Sequence, residues 1–177
     1  METACQWLLP LLLLLALTAK MQAQFTYTTN GGTITITGYT GADAMVAIPS
    51  TTNGLPVTSM GNKAFGDCTN LTSITIPNSI TNIGHGTFYF CTSLTNVTIG
   101  TSVTSIGPDV FCYCWSLTSV TLPASVTSIG DHAFYDCTSL TNLTVPTNVT
   151  SIGEHAFAFC FRLTGVTIPL GVTNSVW

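Results

Sequence analysis

Residues 71–93 read Leu-Thr-Ser-Ile-Thr-Ile-Pro-Asn-Ser-Ile-Thr-Asn-Ile-Gly-His-Gly-Thr-Phe-Tyr-Phe-Cys-Thr-Ser, and at Leu94 the same phrase begins again. Leu71, Leu94, Leu117, Leu140 and Leu163 stand 23 residues apart. The columns Phe65, Phe88, Phe111, Phe134, Phe157 and Cys68, Cys91, Cys114, Cys137, Cys160 keep the same step. A fixed period of this length specifies a solenoid, because one unit cannot bury its apolar face alone and must stack on its neighbours. The unit is L-T-x-[IVL]-T-[IVL]-P-x-x-[IV]-T-x-I-G-x-x-x-F-x-x-C-x-x.

Within one unit Leu71, Ile74 and Ile76 supply a core pattern while Thr72 and Thr75 point away from it, which predicts a short strand ended by Pro77. Ile80 and Ile83 predict a second short extended segment, and Gly84 then permits a bend. Phe88 and Cys91 return the chain to the next strand. The intervening His85–Tyr89 fits either a turn of helix or irregular chain. The fold class is therefore a mainly β repeat solenoid with coils of 23 residues.

The ends are less regular. Val46-Ala47-Ile48-Pro49 and Val57–Gly61 match the unit, with five extra residues around Thr51–Leu55 between them. Upstream, Phe25–Thr29 and Thr33–Thr37 alternate at period two around Asn30-Gly31-Gly32, which predicts a β-hairpin. Residues 24–42 are expected to cap the solenoid, which runs from 43 to 177. After Leu163–Pro169 the unit gives way to Ser175-Val176-Trp177, so the last repeat is read as incomplete, or as packing end to end on another chain, with Trp177 a partial cover.

Residues 8–17 form an apolar run of ten. A bilayer-spanning helix needs about twenty apolar residues, so this run fits the core of a signal peptide over residues 1–23. The mature chain is expected outside the cytoplasm, secreted or at the cell surface, with no membrane span. Charged residues make up 6% of the 177-residue chain, three Lys+Arg against seven Asp+Glu, for a net charge of -4. No basic cluster is present to neutralise phosphates, which excludes nucleic acid as a partner. The mean hydropathy of +0.49 follows from a repeat written in Leu, Ile, Val, Thr, Ser and Gly, with the leader contributing the smaller part.

The paired phrases L-T-x-[IVL]-T-[IVL]-P and I-G-x-x-x-F-x-x-C, recurring over residues 43–173, closely resemble the BspA-type leucine-rich repeats of bacterial secreted and surface proteins. The resemblance implies a right-handed leucine-rich solenoid that binds or adheres to an extracellular protein or glycan. It implies no catalytic residue and no cofactor.

Comparison of the copies separates scaffold from candidate site, since positions identical in every coil serve packing. The variable positions carry Tyr89, Phe90, Tyr113, Trp115, Tyr135, Phe159 and Phe161, where other coils have Gly66, Asp67, Thr69, Asp136 or Ala158. Clustered outside, these rings form a patch for a ligand; tucked inward, they form a second apolar layer. The columns Thr72, Thr95, Thr118, Thr141, Thr164 and Thr75, Thr98, Thr121, Thr144, Thr167 read either as exposed ladder residues or as a flat array for ice or polysaccharide. The cysteine column is expected to be a buried ladder of free thiols, whereas Cys112 is expected to be more exposed and oxidisable. Asp109, His132 and His155 share a column, beside Asp131 and Glu154, and read as a solvated bend more readily than as a metal site. No G-x-S-x-G elbow or phosphate-cradling loop is present, so no enzyme is expected.

Overall fold

The computed structural model describes residues 24–172, so the leader expected over 1–23 and the stretch 173–177, with Trp177, lie outside it. Strands β1 (Phe25–Asn30) and β2 (Thr33–Tyr39) form the expected antiparallel hairpin. Its turn needs positive φ at both central residues, which Gly31 (56°) and Gly32 (82°) supply. The first coil holds β3 (Met45–Ala47), β4 (Thr51–Thr52) and β5 (Leu55–Met60). Its extra residues make a second hairpin, β4 against β5, turned at Asn53-Gly54 with φ of 52° and 76°. Each later coil adds two strands: β6 (Ser73–Thr75) and β7 (Asn82–Ile83), β8 (Asn96–Thr98) and β9 (Ser105–Ile106), β10 (Ser119–Thr121) and β11 (Ser128–Ile129), β12 (Asn142–Thr144) and β13 (Ser151–Ile152).

The strands stack in parallel ladders. The first runs β3-β6-β8-β10-β12 without interruption, in a register that joins Ser73 to Asn96, Ile74 to Val97 and Thr75 to Thr98. A one-residue slip would turn Ile74 and Val97 out to solvent, so burial of one face fixes the register. The second ladder joins β2, β5 and β7, and then resumes as β9-β11-β13. Between β7 and β9 it is broken. Thr81, Thr127 and Thr150 each donate backbone N–H and hydroxyl to the coil before, and Gly84, Gly130 and Gly153 each donate a backbone N–H. Among the described residues the equivalent donors of Thr104 and Gly107 have no such partner.

A third ladder was not foreseen. In the return segment Lys63, Phe65 and Asp67 donate their N–H groups to the carbonyls of His85, Thr87 and Tyr89 at 2.9–3.0 Å. The pattern repeats at Gly86, Phe88, Phe90, at Asp109, Phe111, Tyr113 and at His132, Phe134, Asp136. The first and last residue of each trio is left-handed, with φ between 52° and 61° in every described coil. That alternation stops a helix from propagating, which settles the segment His85–Tyr89 as successive tight turns. No helix occurs among the described residues.

Inside, the apolar columns stack coil on coil. The rings of Phe65, Phe88, Phe111, Phe134 and Phe157 follow one another at 5.2–5.7 Å between centroids, close to the spacing of neighbouring strands. Phe25 and Tyr39 of the hairpin close the near end of this stack on Phe65, at 6.2 and 5.3 Å. At the far end Phe157, Leu163, Val166 and Ile168 are half-buried where their column mates Phe134, Leu140, Leu143 and Val145 are buried.

The glycine column has a different reason from the one the sequence offered. Gly84 and Gly130 do not have positive φ; a Cβ on either would sit 2.6 Å from a backbone nitrogen of the preceding coil, Asn62 or Pro108. The absent side chain lets two coils touch backbone to backbone. Conformational freedom is used instead two residues later, in the column of Lys63, Gly86, Asp109, His132 and His155.

Candidate functional site: an aromatic stripe along the return segments

The two left-handed columns decide where the variable side chains point. Asp67, Phe90, Tyr113, Asp136 and Phe159 occupy the second of them, with φ of 57–61°. Asp tolerates this conformation through its short polar side chain, whereas a bulky ring there is disfavoured by roughly 1–2 kcal/mol. Phe90, Tyr113 and Phe159 are held there all the same.

The structure brings all seven candidate rings into one unbroken run of contacts. Trp115 meets Phe90 at 5.1 Å, Phe90 meets Tyr89 at 6.3 Å and Tyr113 at 6.1 Å, and Tyr89 meets Tyr113 at 5.5 Å. The run continues through Tyr135 and Phe159, at 5.6 and 5.0 Å, to Phe161 at 5.9 Å. Trp115, Phe159 and Phe161 are 39%, 49% and 76% exposed, and the other four are half-buried. The stripe is therefore both a lateral packing layer in its middle and an open apolar surface at Trp115, Phe159 and Phe161. Trp115 is oriented by its indole Nε1–H, which donates to Asp136 Oδ2 at 2.9 Å. At the other edge the Lys63 ammonium lies over the Tyr89 ring, 4.8 Å from its centroid.

Cys112 departs from expectation. It is 3% exposed, because Tyr113 beside it bridges Tyr89 and Tyr135, the large residues that share its column on the neighbouring coils. Burial, and then the negative charges of Asp109 and Asp136, push its thiol up to about 12, so it is a protonated, unreactive thiol. The column cysteines are free, as expected, and buried except at the two ends, Cys68 and Cys160. Four of the five also have a polar task that packing alone does not reveal. Cys91, Cys114, Cys137 and Cys160 donate S–H to the carbonyls of Phe65, Phe88, Phe111 and Phe134, at 3.0–3.2 Å. A small apolar residue with one weak donor suits that position.

Asp109, His132 and His155 do not converge. His85 Nε2 takes Asp109 Oδ2 at 2.8 Å, while the His132 ring leans on Tyr135 at 5.3 Å and on His155 at 5.4 Å. Among the described residues no three His, Cys, Asp or Glu side chains converge on a point that would hold a metal.

The two threonine columns also part company. The hydroxyls of Thr72, Thr95, Thr118 and Thr141 donate to backbone carbonyls of the preceding coil at 2.9–3.3 Å, so that column stitches the stack. Thr75, Thr98, Thr121 and Thr144 stand exposed on the first ladder, alternating with Ser73, Asn96, Ser119 and Asn142. The flat outer face is thus Ser/Asn beside Thr, rather than a doubled row of threonines.

A model of the BspA type leucine-rich repeat region matches residues 58–175 in six copies. The chain belongs to this family. Among solved structures, a leucine-rich repeat protein of T. pallidum is 34% identical with a TM-score of 0.82, over 85% of this chain and 71% of its own. One from Bacteroides ovatus is 35% identical with a TM-score of 0.75, over 82% of this chain and 40% of its own. A third, from Bacteroides capillosus, is 30% identical with a TM-score of 0.60, over 67% of this chain and 91% of its own. No curated protein matches the sequence. The chain's 23-residue β coils are those of the family.

Proposed function

We propose that this BspA-type protein is an extracytoplasmic, non-catalytic binding module that takes its partner, a protein or a glycan, along the aromatic stripe. The observation that carries the reading is the unbroken run from Trp115 to Phe161 with its open ends. Backbone energetics favour the same reading. Phe90, Tyr113 and Phe159 occupy left-handed positions where other coils have Asp67 and Asp136, so the fold alone would be served better without the rings.

The test compares the full chain with Trp115→Ala, Phe161→Ala and Tyr113→Asn on matrix-protein and glycan arrays. Asparagine accepts the left-handed backbone, so Tyr113→Asn removes a ring without a backbone penalty. Binding is expected to fall in all three while the far-ultraviolet circular dichroism is unchanged. Loss of the folded signal would assign the rings to packing. A wild-type chain that binds nothing would favour the alternative, a structural repeat module with binding supplied elsewhere.

A further inference from the structure

We propose that the partner of the aromatic stripe is a cationic protein segment, rich in arginine or lysine. The inference rests on the stripe being a binding face and adds the chemistry of its ligand. In a chain with so few charges, their placement is informative. Five of the six carboxylates in the described residues, Asp67, Asp109, Asp131, Asp136 and Glu154, belong to the bend and return segments, against Lys63 and Arg162. Asp67 and Asp136 share a column with Phe90, Tyr113 and Phe159, so carboxylates and rings are interspersed along one left-handed line.

Ring geometry separates a cation from a sugar. A pyranose stacks on a flat, open ring face, but rings that meet between coils here stand steeply to one another: 89° between Tyr89 and Tyr113, 80° between Tyr113 and Tyr135, 78° between Tyr135 and Phe159, with Tyr89 and Phe90 of one coil the exception at 28°. Such a row offers π faces one at a time, with Asp67 and Asp109 near Tyr89 and Asp136 near Tyr113 and Trp115, which suits guanidinium or ammonium groups. The chain itself carries one example. Lys63 runs its stem past Gly86, where a Cβ would meet Lys63 Cγ at 3.5 Å, and sets its ammonium over Tyr89. Among the described residues no other cation lies over a ring of the stripe. Burial first, then Cys112, and then Asp109 and Asp67, raise the Tyr89 hydroxyl; at Tyr113 burial leads and Asp136 adds a smaller push in the same sense. Tyr89 and Tyr113 therefore stay neutral beside these carboxylates.

The test titrates the full chain by calorimetry with an arginine-glycine peptide, with the same peptide carrying citrulline for arginine, and with a neutral oligosaccharide. The arginine peptide is expected to bind at least about tenfold more tightly than its citrulline twin, and less tightly as salt rises. Asp67→Asn combined with Asp136→Asn keeps a side chain that accepts both the left-handed backbone and the Trp115 hydrogen bond. It is expected to weaken arginine-peptide binding about tenfold without lowering Tm. Equal affinity for the citrulline peptide overturns the proposal. So does an inert arginine peptide alongside oligosaccharide binding that Trp115→Ala abolishes, a result that leaves the stripe as a binding face. Failure of every probe, together with empty protein and glycan arrays, would overturn both.

Discussion

Within the repeated I-G phrase, Gly107 and Gly130 occupy the same position of successive coils, yet they are expected to respond to alanine in opposite ways. A Cβ at Gly130 would lie 2.6 Å from the Pro108 nitrogen and 2.7 Å from the Gly107 carbonyl carbon, both backbone atoms pinned by the β9–β11 pairing. Relief requires the coil to shift, which stretches the 2.7 Å bond from Gly130 N–H to the Ile106 carbonyl. Overpacking of this kind, with loss of one backbone bond, costs about 3 kcal/mol. For a chain of this size that lowers Tm by about 6–12 °C. At Gly107 the new methyl would rest 3.6 Å from the Ile83 carbonyl, an ordinary contact, because the second ladder is open there. With no positive φ to lose, Gly107→Ala is expected to be neutral or to stabilise by about 0.5 kcal/mol through the unfolded chain. Thermal melts of the two variants, followed by circular dichroism, decide the matter. Equal losses would refute the claim that backbone contact, rather than the motif itself, sets the need for glycine.

Two further outcomes follow from the polar columns. Cys91, Cys112, Cys114 and Cys137 hold their protons more tightly when folded, chiefly through burial, so above the unfolded thiol value near pH 9 the unfolded chain releases protons that the folded chain keeps. Stability is fully present below that pH and falls above it by about 1.4 kcal/mol per pH unit for each such thiol. A Tm that stays level from pH 7 to pH 11 would contradict this. Among the threonines, Thr118→Val removes the hydroxyl that caps the Thr95 carbonyl and is expected to cost about 1 kcal/mol, whereas Thr121→Val, at an exposed position, should stay within about 0.5 kcal/mol in chemical denaturation.

The period told most of the fold, because a residue such as Leu94 that recurs every 23 positions must meet its copies across the coil boundary. The Phe, Leu and Cys columns and the N-terminal hairpin follow from that and from Gly31-Gly32. The left-handed columns were only half visible. Gly86, Asp67, Asp109 and Asp136 carry the signature of positive φ, but Phe90, Tyr113 and His132 at equivalent positions conceal it. Asn53-Gly54 is a plain hairpin dipeptide inside what read as an irregular insertion. The rings of the candidate site could be collected by comparing copies, yet their continuity could not. Phe90 reaches Trp115 through a diagonal contact between coils, and that depends on side-chain directions set by the left-handed backbone. Cys112 misled for a related reason, since a small residue between two tyrosines is covered by its neighbours rather than by its own coil.

The gap between β7 and β9 gives the molecule a fault line. Of the four junctions between the five coils that carry β3 to β13, three are sewn by three seams, but this one has two, the first ladder and the return segments. Under tension these five coils should part here first, into a piece closed by the β1–β2 hairpin and a piece that begins at β8. The contacts of Phe90 with Tyr113 and Trp115 cross the same line. A partner lying along those rings would act as a splint, so that mechanical strength at this two-seamed joint would depend on occupancy.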